Sequence, residues 1–361
     1  MYNTSNIYVA IMAGGVGSRF WPGSRENRPK QFLDILGVGK SLLRLTFERF
    51  LDLCPASHIF VVTNAAYTDL VAEQLPELGR YQILGEPSRN DTAPCVAYTA
   101  FKLAALNPNA TLVVAPSDHI VLQPETFLRL LQKAIEFARQ RDALITLGIQ
   151  PTHPHTGYGY IQLGQPETNG IFRVERFTEK PNAETAQRFV ASGQYLWNAG
   201  IFIWRLSAIL RAFEQHAPDI YQVLEKGKDA YNTPQEAEFL QTHYPNTRKV
   251  PVDIAILEKA NNVFTLPADF GWSDLGTWAS LHQESPKDAQ GNVVQTQTAM
   301  LYDVQDTLVR APKGKLLVLR GLRDYIVVDE GDVLLVWPKS EEQAIKQARA
   351  DVQREFGDEF L

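Results

Sequence analysis

In the first 150 residues, short hydrophobic runs alternate with longer amphipathic segments. The short runs are rich in β-branched side chains and predict strands at residues 7–12, 58–63, 111–115 and 143–148. The segments between them repeat apolar residues at helical spacing and predict helices at 41–54, 93–106 and 124–139, the first with Ser41 as N-cap. This alternation predicts a doubly wound, Rossmann-like α/β fold, in which ligands bind at the carboxyl ends of the strands.

The hydrophobic pattern changes after about residue 155. Strands of antiparallel type are predicted at 158–163, 172–179 and 200–204, and helices at 206–216 and 252–260. From Asn292 the predicted strands are short and closely spaced, at 299–304, 315–320, 324–328 and 332–337, before a polar helix at 340–356. A chain of 361 residues also exceeds the about 250–300 residues of a single core. We therefore predict a large domain over residues 1–285 and a small β-rich domain over 290–361, a short β-coil that ends in a helix.

Composition narrows the class of protein. The chain has 45% apolar and 21% charged residues, which is typical of a folded globular protein. Its net charge of −6 argues against a nucleic-acid partner, but small phosphorylated ligands need only a few local cations. Cys54 and Cys95 have neither disulfide nor metal-site spacing, so a reducing, cytoplasmic location is expected. We expect no membrane partner, because no apolar stretch is long enough to span a bilayer.

A glycine loop follows the first predicted strand. In a dinucleotide-binding motif the third glycine would stand where this loop has Phe20, and the loop also lacks the lysine of a P-loop. Gly14, Gly15 and Gly17 can present backbone N–H groups to an anion, while Arg19 and Lys30 add cations, and this set suits a polyphosphate. From these residues alone, a plain glycine turn after a strand is an equally good interpretation.

A series of motifs extends along the chain in order. Residues 13–19 with 29–32 are similar to the N-terminal motif of sugar-1-phosphate nucleotidyltransferases, and the insert at 20–22 resembles the mannose-1-phosphate guanylyltransferase branch. Further matches to that branch lie at residues 86–94, 116–119, 156–161, 177–181, 197–202 and 271–276. Each motif is weak by itself, but the ordered set over residues 9–278 is specific.

The resemblance implies a reaction and its demands. A mannose-1-phosphate guanylyltransferase transfers GMP from GTP to α-D-mannose 1-phosphate, by in-line attack on the α-phosphorus, and releases pyrophosphate. Both reactants are anions, so the protein must position them and supply positive charge, and it needs no nucleophile of its own. The resemblance makes residues 1–285 the catalytic domain. Two alternatives stay open, namely another sugar or base, and a non-catalytic nucleotide-sugar sensor on the same fold.

The resemblance also implies roles for single residues. The catalytic cations are Arg19, Lys30 and Lys180. The nucleotide-binding residues are Ala13, Gly14, Gly15, Gly17, Ser18, Glu86, Pro87, Asp91, Thr92, Pro116 and Ser117. The sugar-binding residues are Gly157, Tyr158, Glu179 and Asn198. Arg89 stands one place away from the basic residue of the family, which leaves its contact open, and Lys180 and Trp197 could instead be a solvated lysine and a core side chain.

Two aspartates are candidate magnesium ligands. Mg²⁺ prefers one or two carboxylates together with phosphate oxygens and water. The resemblance implies that Asp118, which follows the strand at 111–115, converges with Asp274 on one ion. From the residues alone, helix capping explains each aspartate better. His119 can orient a ligand carboxylate, whereas His153 and His155 are typical of a surface loop.

The segment after residue 290 resembles the C-terminal region of short, single-function guanylyltransferases. We expect no fused isomerase domain of the kind that some longer relatives carry. The apolar strand at 332–337 predicts an open sheet edge that needs covering, so we expect a homodimer.

Overall fold

The computed structural model describes residues 6–361, which form two compact units. The first unit contains residues 6–14, Thr46–Ser117 and Val121–Trp272. The second contains Gly15–Leu45, Asp118–Ile120 and Ser273–Leu361. The two units are defined by how densely their residues pack. That residues 1–285 form the catalytic domain stays a prediction. Within residues 6–361, no helix is both long and apolar enough to cross a membrane.

Strands and helices alternate along the chain. The strands are β1 Ile7–Met12, β2 Ile59–Asn64, β3 Ile83–Glu86, β4 Thr111–Pro116, β5 Ile120–Val121, β6 Leu144–Ile149, β7 Tyr160–Pro166, β8 Phe172–Thr178, β9 Tyr195–Arg205, β10 Val263–Ala268, β11 Trp272–Ser273, β12 Val293–Gln295, β13 Ala299–Tyr302, β14 Leu308–Arg310, β15 Leu317–Arg320, β16 Tyr325–Asp329 and β17 Leu334–Pro338. The helices are α1 Leu42–Leu51, α2 Thr68–Gln74, α3 Thr92–Leu106, α4 Pro124–Gln140, α5 Ala183–Ser192, α6 Leu206–His216, α7 Pro218–Glu225, α8 Glu236–His243, α9 Trp278–Glu284 and α10 Ile345–Phe356.

The first unit is built on one mixed sheet of nine strands, in the order β3-β2-β1-β4-β9-β6-β10-β8-β7. Strand β1 pairs in parallel with β2 and β4, whereas β9 runs antiparallel between β4 and β6. Strands β1, β2, β4 and β6 are buried along most of their length, as in parallel sheets covered on both faces. The predicted α/β class is therefore confirmed, and the predicted strands that match these four lie within one residue of the observed bounds.

The core of the first unit fixes the strand ends. Its hydrophobic cluster includes Val114, Phe202, Trp204 and Phe213, each exposed by 2% or less. Burying one such side chain contributes roughly 1.5–3 kcal/mol. Because this core holds the sheet in place, the loops at the carboxyl ends of its strands begin from fixed positions.

Several elements differ from their predicted bounds. Strand β9 begins at Tyr195. The prediction began only at residue 200, because the polar Asn198 interrupts the apolar run in the sequence. Strand β10 was not predicted, since Pro267 argues against a central strand. The predicted helix at 252–260 is a short π-helical turn, Asp253–Leu257. The capping role of Ser41 is confirmed, because its Oγ accepts the Arg44 N–H at 3.1 Å.

The second unit combines the glycine-loop segment with the C-terminal strands. Strands β12, β14 and β16 pair in parallel, β13 and β15 form a separate parallel pair, and β17 closes the first stack. Successive strands thus alternate between two stacks, which is the pattern of a short β-coil. Buried side chains from both parts of the sequence share one hydrophobic cluster, among them Phe20, Trp21, Trp278, Ile326 and Ile345.

Candidate active site

The glycine loop begins where β1 ends. Ala13 is buried, its N–H donates to the Val62 carbonyl at 2.7 Å, and its own carbonyl accepts the Thr63 hydroxyl at 2.8 Å. In contrast, the N–H groups of Gly14, Gly15 and Gly17 donate no hydrogen bond within residues 6–361. Consecutive main-chain donors of this kind favour an anion.

Gly17 and Arg19 determine the properties of the second half of the loop. Gly17 has a φ of 71°, and a Cβ there would lie 2.5 Å from the Lys30 Cβ, so only glycine fits. Ser18 and Arg19 follow in a 3₁₀ turn that ends at Phe20. The Arg19 side chain is exposed, and its guanidinium makes no hydrogen bond or ion pair with residues 6–361. The loop segment therefore offers an unpaired, forked cation.

Lys30 is the central contact of the second unit. It is only 3% exposed, and its Nζ donates to Asp118 Oδ2 at 2.9 Å and to the carbonyls of Asp274 and Leu275 at 3.0 and 2.7 Å. An ammonium has three donors, so all of them are engaged. Lys30 ties the Asp118 carboxylate to the turn that carries Asp274. Its predicted contact with a polyphosphate stays a prediction.

The two candidate metal ligands differ in their contacts. Burial is the largest single effect and would raise the pKa of Asp118, but the charges of Lys30 and His119 and the hydrogen bond from Lys30 together outweigh it, and the pKa falls below its usual value. His119 Nε2 lies 4.0 Å from Asp118 Oδ1. Asp274 Oδ1 accepts the Gly276 N–H at 3.1 Å within its own turn. Asp118 is therefore held ionised at neutral pH. Within residues 6–361, no group of three His, Cys, Asp or Glu side chains is arranged to hold a metal ion.

In the first unit, Glu86 ends strand β3 in a buried position. The Tyr244 hydroxyl donates to Glu86 Oε1, and a Cβ on Gly14 would lie 3.8 Å from Oε2. Burial raises the pKa of Glu86 to about 7, the hydrogen bonds from Tyr244 and Cys95 oppose this increase, and the charge of Asp91 adds to it. A buried acid beside the glycine loop was predicted as a nucleotide contact, but its partner Tyr244 was missed because it lies far away in sequence.

Glu86 predicts a pH dependence of stability. Its folded pKa lies above its unfolded value, so the folded state binds the extra proton between about pH 4.5 and 7. The stabilisation is complete below the unfolded pKa and is lost as the pH rises through 7. Compared with Glu86→Gln, the wild-type free energy of unfolding should fall by about 1 kcal/mol per pH unit in this window. Urea unfolding of both proteins at pH 5 and pH 7.5 measures the difference, and a constant difference would contradict the raised pKa.

The other predicted nucleotide residues make mainly structural contacts. Asp91, with a φ of 68°, is the N-cap of α3 and accepts the Thr92 N–H at 2.8 Å. The Thr92 hydroxyl accepts the Val252 N–H at 2.9 Å. Pro116 ends β4, and the N–H of the buried Ser117 donates to the Met12 carbonyl at 3.0 Å. Pro87 follows directly after Glu86. Arg89, whose contact the resemblance left open, donates from a terminal guanidinium nitrogen to the Tyr67 hydroxyl at 2.7 Å.

Strand register brings the predicted sugar residues together. Tyr160 pairs with both Trp197 and Thr178, so the segments next to these three residues meet. The Asn198 N–H donates to the Gly159 carbonyl at 2.8 Å, and a Cβ on Gly159 would lie 2.6 Å from Glu179 Oε2. The Asn198 side chain accepts the Thr146 hydroxyl at 2.6 Å and donates to Asp253 Oδ1 at 2.9 Å.

Two charged residues complete this polar group. Glu179 Oε1 lies 2.8 Å from Lys180 Nζ. Burial alone would lower the pKa of Lys180, but the contact with Glu179 and the charges of Asp253 and Asp91 together raise it. Asp253 was missed by the sequence analysis. Burial, followed by the charge of Glu179, raises its pKa to about 7. An acid inside the apolar run at 252–257 was the available signal, because a carboxylate is rarely buried unless it is paired.

An aromatic group lies in the same unit. The Tyr158 ring stacks on His155 at 3.9 Å between centroids and meets the edges of Trp197 and Trp272 at 5.0 and 5.4 Å. The His153 ring lies 5.1 Å from that of Trp197, and Gly157 donates its N–H to His155 Nδ1 at 3.1 Å. Apolar rings combined with a few fixed polar groups are typical of small-molecule sites.

Comparisons with known proteins give matches over most of the chain. A family model described as nucleotidyl transferase matches residues 8–291. The mannose-1-phosphate guanylyltransferase of Salmonella montevideo is 39% identical over 337 residues, which are 90% of this chain and 69% of that protein. The mannose-1-phosphate guanylyltransferase of Escherichia coli is 34% identical over 354 residues, 95% of this chain and 75% of that protein.

A solved structure gives the same result. It comes from Thermus thermophilus and is described as a mannose-1-phosphate geranyltransferase. It has a TM-score of 0.87 and 31% identity, and the match covers 96% of this chain and 99% of that one. Since the family model and the relatives both span most of the sequence, the chain belongs to the nucleotidyl transferase family of enzymes, among the mannose-1-phosphate guanylyltransferases.

Proposed function

We propose that the protein transfers GMP from GTP to α-D-mannose 1-phosphate and releases GDP-mannose and pyrophosphate. The observation that carries the proposal is the contact of Lys30 with Asp118 and with the Asp274 turn. In the same unit, Arg19 presents an unpaired guanidinium. Transfer between two anions requires such fixed charges more than it requires a protein nucleophile.

The triphosphate is the ligand of the glycine loop in this proposal. The N–H groups of Gly14, Gly15 and Gly17 donate to phosphate oxygens, and Ser18 and Arg19 add a hydroxyl and a forked cation. Because the Lys30 ammonium is fully engaged, its role is to keep Asp118 ionised and in place. Carbonyls near Glu86, Pro87 and Pro116 accept hydrogen bonds from the guanine edge, and Asp91, Thr92 and Ser117 support these loops.

The donor set suits a magnesium ion. Asp118 and Asp274 are hard oxygen ligands, and the lowered pKa of Asp118 keeps it ionised at neutral pH. Mg²⁺ commonly takes one or two protein carboxylates and completes its shell with phosphate oxygens and water. We propose that these two residues hold it. When bound, the ion neutralises charge on the phosphates.

The sugar phosphate is the ligand of the polar and aromatic groups of the first unit. Glu179 and Asn198 offer hydrogen bonds to hexose hydroxyls, and the Tyr158 ring offers an apolar face. Gly157 keeps the backbone beside that ring free of a side chain. Lys180 is 59% exposed, and its raised pKa keeps the ammonium charged for the sugar-linked phosphate.

A substrate panel tests the proposed function. Pyrophosphate release is measured with Mg²⁺ for GTP, ATP, UTP and dTTP, each combined with mannose 1-phosphate or glucose 1-phosphate. The expected result is release with GTP and mannose 1-phosphate at a kcat/KM well above every other pair. Higher activity with another pair would reassign the substrates. Nucleotide binding without turnover of any pair would instead favour a sensor.

Arg19→Gln is expected to weaken the reaction without changing stability. The guanidinium makes no hydrogen bond or ion pair with residues 6–361, so its loss removes mainly the interaction with the ligand. The loss of a charge-assisted hydrogen bond should lower kcat/KM for GTP by about 10–100-fold. Arg323→Gln, at another exposed arginine, is the matched control. Equal kinetics for the two variants would show that Arg19 has no role in phosphate binding.

A homodimer is a further part of the proposal. The second unit exposes apolar side chains of its strands, with exposed fractions of 61% for Leu334, 46% for Val336 and 59% for Val318. Covering such strands favours association. Light scattering at micromolar concentration should give twice the mass of one chain, and the mass of a single chain would rule out the dimer.

A further inference from the structure

Residues 253–258, a π-helical turn and its C-cap in the first unit, carry two carboxylates that the proposed function does not use. Asp253 Oδ1 accepts a hydrogen bond from the Asn198 side-chain amide at 2.9 Å. Glu258 Oε1 accepts the main-chain N–H of Glu179, also at 2.9 Å. Asn198 and Glu179 are the residues proposed above to bind hexose hydroxyls. One short segment of the chain, named here the 253–258 turn, therefore holds both of them.

The backbone of the 253–258 turn determines which residue follows Asp253 on the same side. The Glu258 N–H donates to the Asp253 carbonyl, five residues earlier, at 2.9 Å. In an α-helix the residue one turn after Asp253 would be Leu257, which is 2% exposed and belongs to the core. The π-helical bond widens the turn by one residue and puts Glu258 there instead. Such turns are rare and occur often at functional sites, which favours a role beyond packing.

The contact with Asp253 fixes which atoms of the Asn198 amide remain for a ligand. Asn198 Oδ1 accepts the Gly200 N–H at 3.1 Å and the Thr146 hydroxyl at 2.6 Å, so both of its lone pairs are used. Nδ2 carries two N–H groups, and one of them donates to Asp253. Asn198 is half-buried, and within residues 6–361 its second N–H has no acceptor. The side chain can therefore donate one hydrogen bond to a ligand and accept none.

Glu258 acts on the segment that carries the charged pair of the sugar site. It holds the N–H of Glu179, and the next residue, Lys180, has a φ of 44°. This left-handed conformation is uncommon for a residue with a side chain and persists only where the surrounding contacts hold it. The Glu179 carboxylate in turn contacts the Lys180 ammonium at 2.8 Å. The hydrogen bond to Glu258 therefore fixes the backbone from which both charged groups extend.

The charge of Asp253 does not account for its place in the site. Burial and then the charge of Glu179 raise the pKa of Asp253 to about 7, so its surroundings oppose ionisation. Its hydrogen bond to Asn198 needs only an oxygen that accepts, and a carboxyl group offers one in either protonation state. Asp253 is therefore best explained as a fixed acceptor for the Asn198 amide.

We propose that Asp253 and Glu258 are positioning residues for the sugar phosphate, an inference that rests on the proposed function. Asp253 sets the Asn198 amide so that its second N–H donates to a hydroxyl oxygen of the sugar. Glu258 holds the backbone at Glu179, so that the Glu179 carboxylate and the Lys180 ammonium are placed for a hydroxyl and the phosphate of the same ligand. Neither positioning residue touches the ligand. The hydroxyl at Asn198 is recognised as an acceptor.

Steady-state kinetics of two Asp253 variants test the first half of this proposal. The substrates are the pair that the wild-type protein turns over best in the panel, so an error in the assigned sugar or base does not decide the result. Asp253→Ala should raise KM for the sugar phosphate about tenfold and leave KM for the nucleotide within about twofold. Asp253→Asn keeps an acceptor oxygen and should bring KM back to within about threefold of wild type. An unchanged KM for the sugar phosphate in folded Asp253→Ala would overturn the role of Asp253.

Glu258 is tested in the same way. Glu258→Ala should raise KM for the sugar phosphate by about three- to tenfold, and Glu258→Gln, whose side-chain oxygen can still accept the Glu179 N–H, should reverse most of the increase. Asp219→Asn is the matched control, because Asp219 is a bonded carboxylate of the same unit that pairs with Arg248 at 2.7 Å. It should keep both wild-type KM values. Melting temperatures of all variants identify any loss of fold. An equal increase of KM in the control, or no recovery in either amide variant, would refute positioning.

Monodeoxy forms of the sugar 1-phosphate show whether Asp253 acts through Asn198. With the wild-type protein, the form that lacks the hydroxyl at Asn198 should lose at least about tenfold in kcat/KM. In Asp253→Ala the loss for that form should shrink to about threefold or less, because the donor is no longer held in place, and the losses for the other forms should stay the same. If the effects of Asp253→Ala and of every missing hydroxyl simply multiplied, Asp253 would act independently of Asn198 and the proposal would fail. Absence of turnover in the wild-type protein would instead reject the proposed function.

Discussion

Asp118→Asn is expected to lower the rate of Mg²⁺-dependent pyrophosphate release by about 10²–10³-fold. The substitution keeps the shape of the side chain but removes the negative charge that Lys30 contacts at 2.9 Å. It removes a proposed ligand of the metal ion and leaves the buried ammonium of Lys30 without a charged partner. The rate is measured under saturating GTP, mannose 1-phosphate and Mg²⁺.

The matched control for this variant is Asp303→Asn. Asp303 is 80% exposed, and within residues 6–361 its side chain makes only a long ion pair with Arg320, at 3.8 Å. It should retain the wild-type rate and melting temperature. Circular dichroism of Asp118→Asn separates a loss of chemistry from a loss of fold. A folded Asp118→Asn protein with a near wild-type rate would mean that Asp118 holds no metal ion in the reaction.

Trp278→Ala is expected to destabilise the second unit by about 3–5 kcal/mol. The Trp278 side chain is fully buried, its ring lies 4.7 Å from that of Phe20, and its Nε1 donates to the Trp21 carbonyl at 3.1 Å. The substitution leaves a cavity and an unsatisfied carbonyl beside the segment that carries Arg19. Hydrogen exchange of residues 18–33 should therefore accelerate together with the loss of stability.

Phe356→Ala is the control for this second variant. Phe356 belongs to the same unit but is 66% exposed, so its removal should change stability by no more than about 0.5 kcal/mol. Urea unfolding and amide exchange are measured for both proteins. If exchange at residues 18–33 stayed at the wild-type rate in Trp278→Ala, the glycine-loop segment would not depend on this core.

The regular part of the fold could be predicted from hydrophobic pattern alone. Strands β1, β2, β4 and β6 are runs of buried residues between clear helical segments. The sequence was less informative where a residue has two roles. The predicted strand began only at residue 200, although the Asn198 side chain, two residues earlier, accepts from Thr146 and donates to Asp253 inside the sheet. Strand β10 was missed for a similar reason, because Pro267 argues against a central strand.

Contacts within the candidate site were harder to predict, because residues distant in sequence leave no periodic trace. The motifs identified Lys30 and Asp118 separately and did not show that the Lys30 ammonium contacts Asp118 and two carbonyls. Tyr244 touches Glu86 although 158 positions separate them. Asp253 belongs to none of the matched motifs. Local sequence therefore identifies the type of group present, and only the folded chain shows which partner neutralises it.

The shared core of the second unit also has a consequence for synthesis of the protein. Phe20 and Trp21 leave the ribosome early, whereas Ile326 and Ile345, buried in the same cluster, are made much later. At about 5–20 residues per second, the early segment waits on the order of 15–60 s for its packing partners. During translation the glycine-loop segment therefore lacks part of its hydrophobic cluster, and it can reach its final packing only after Ile345 has been made.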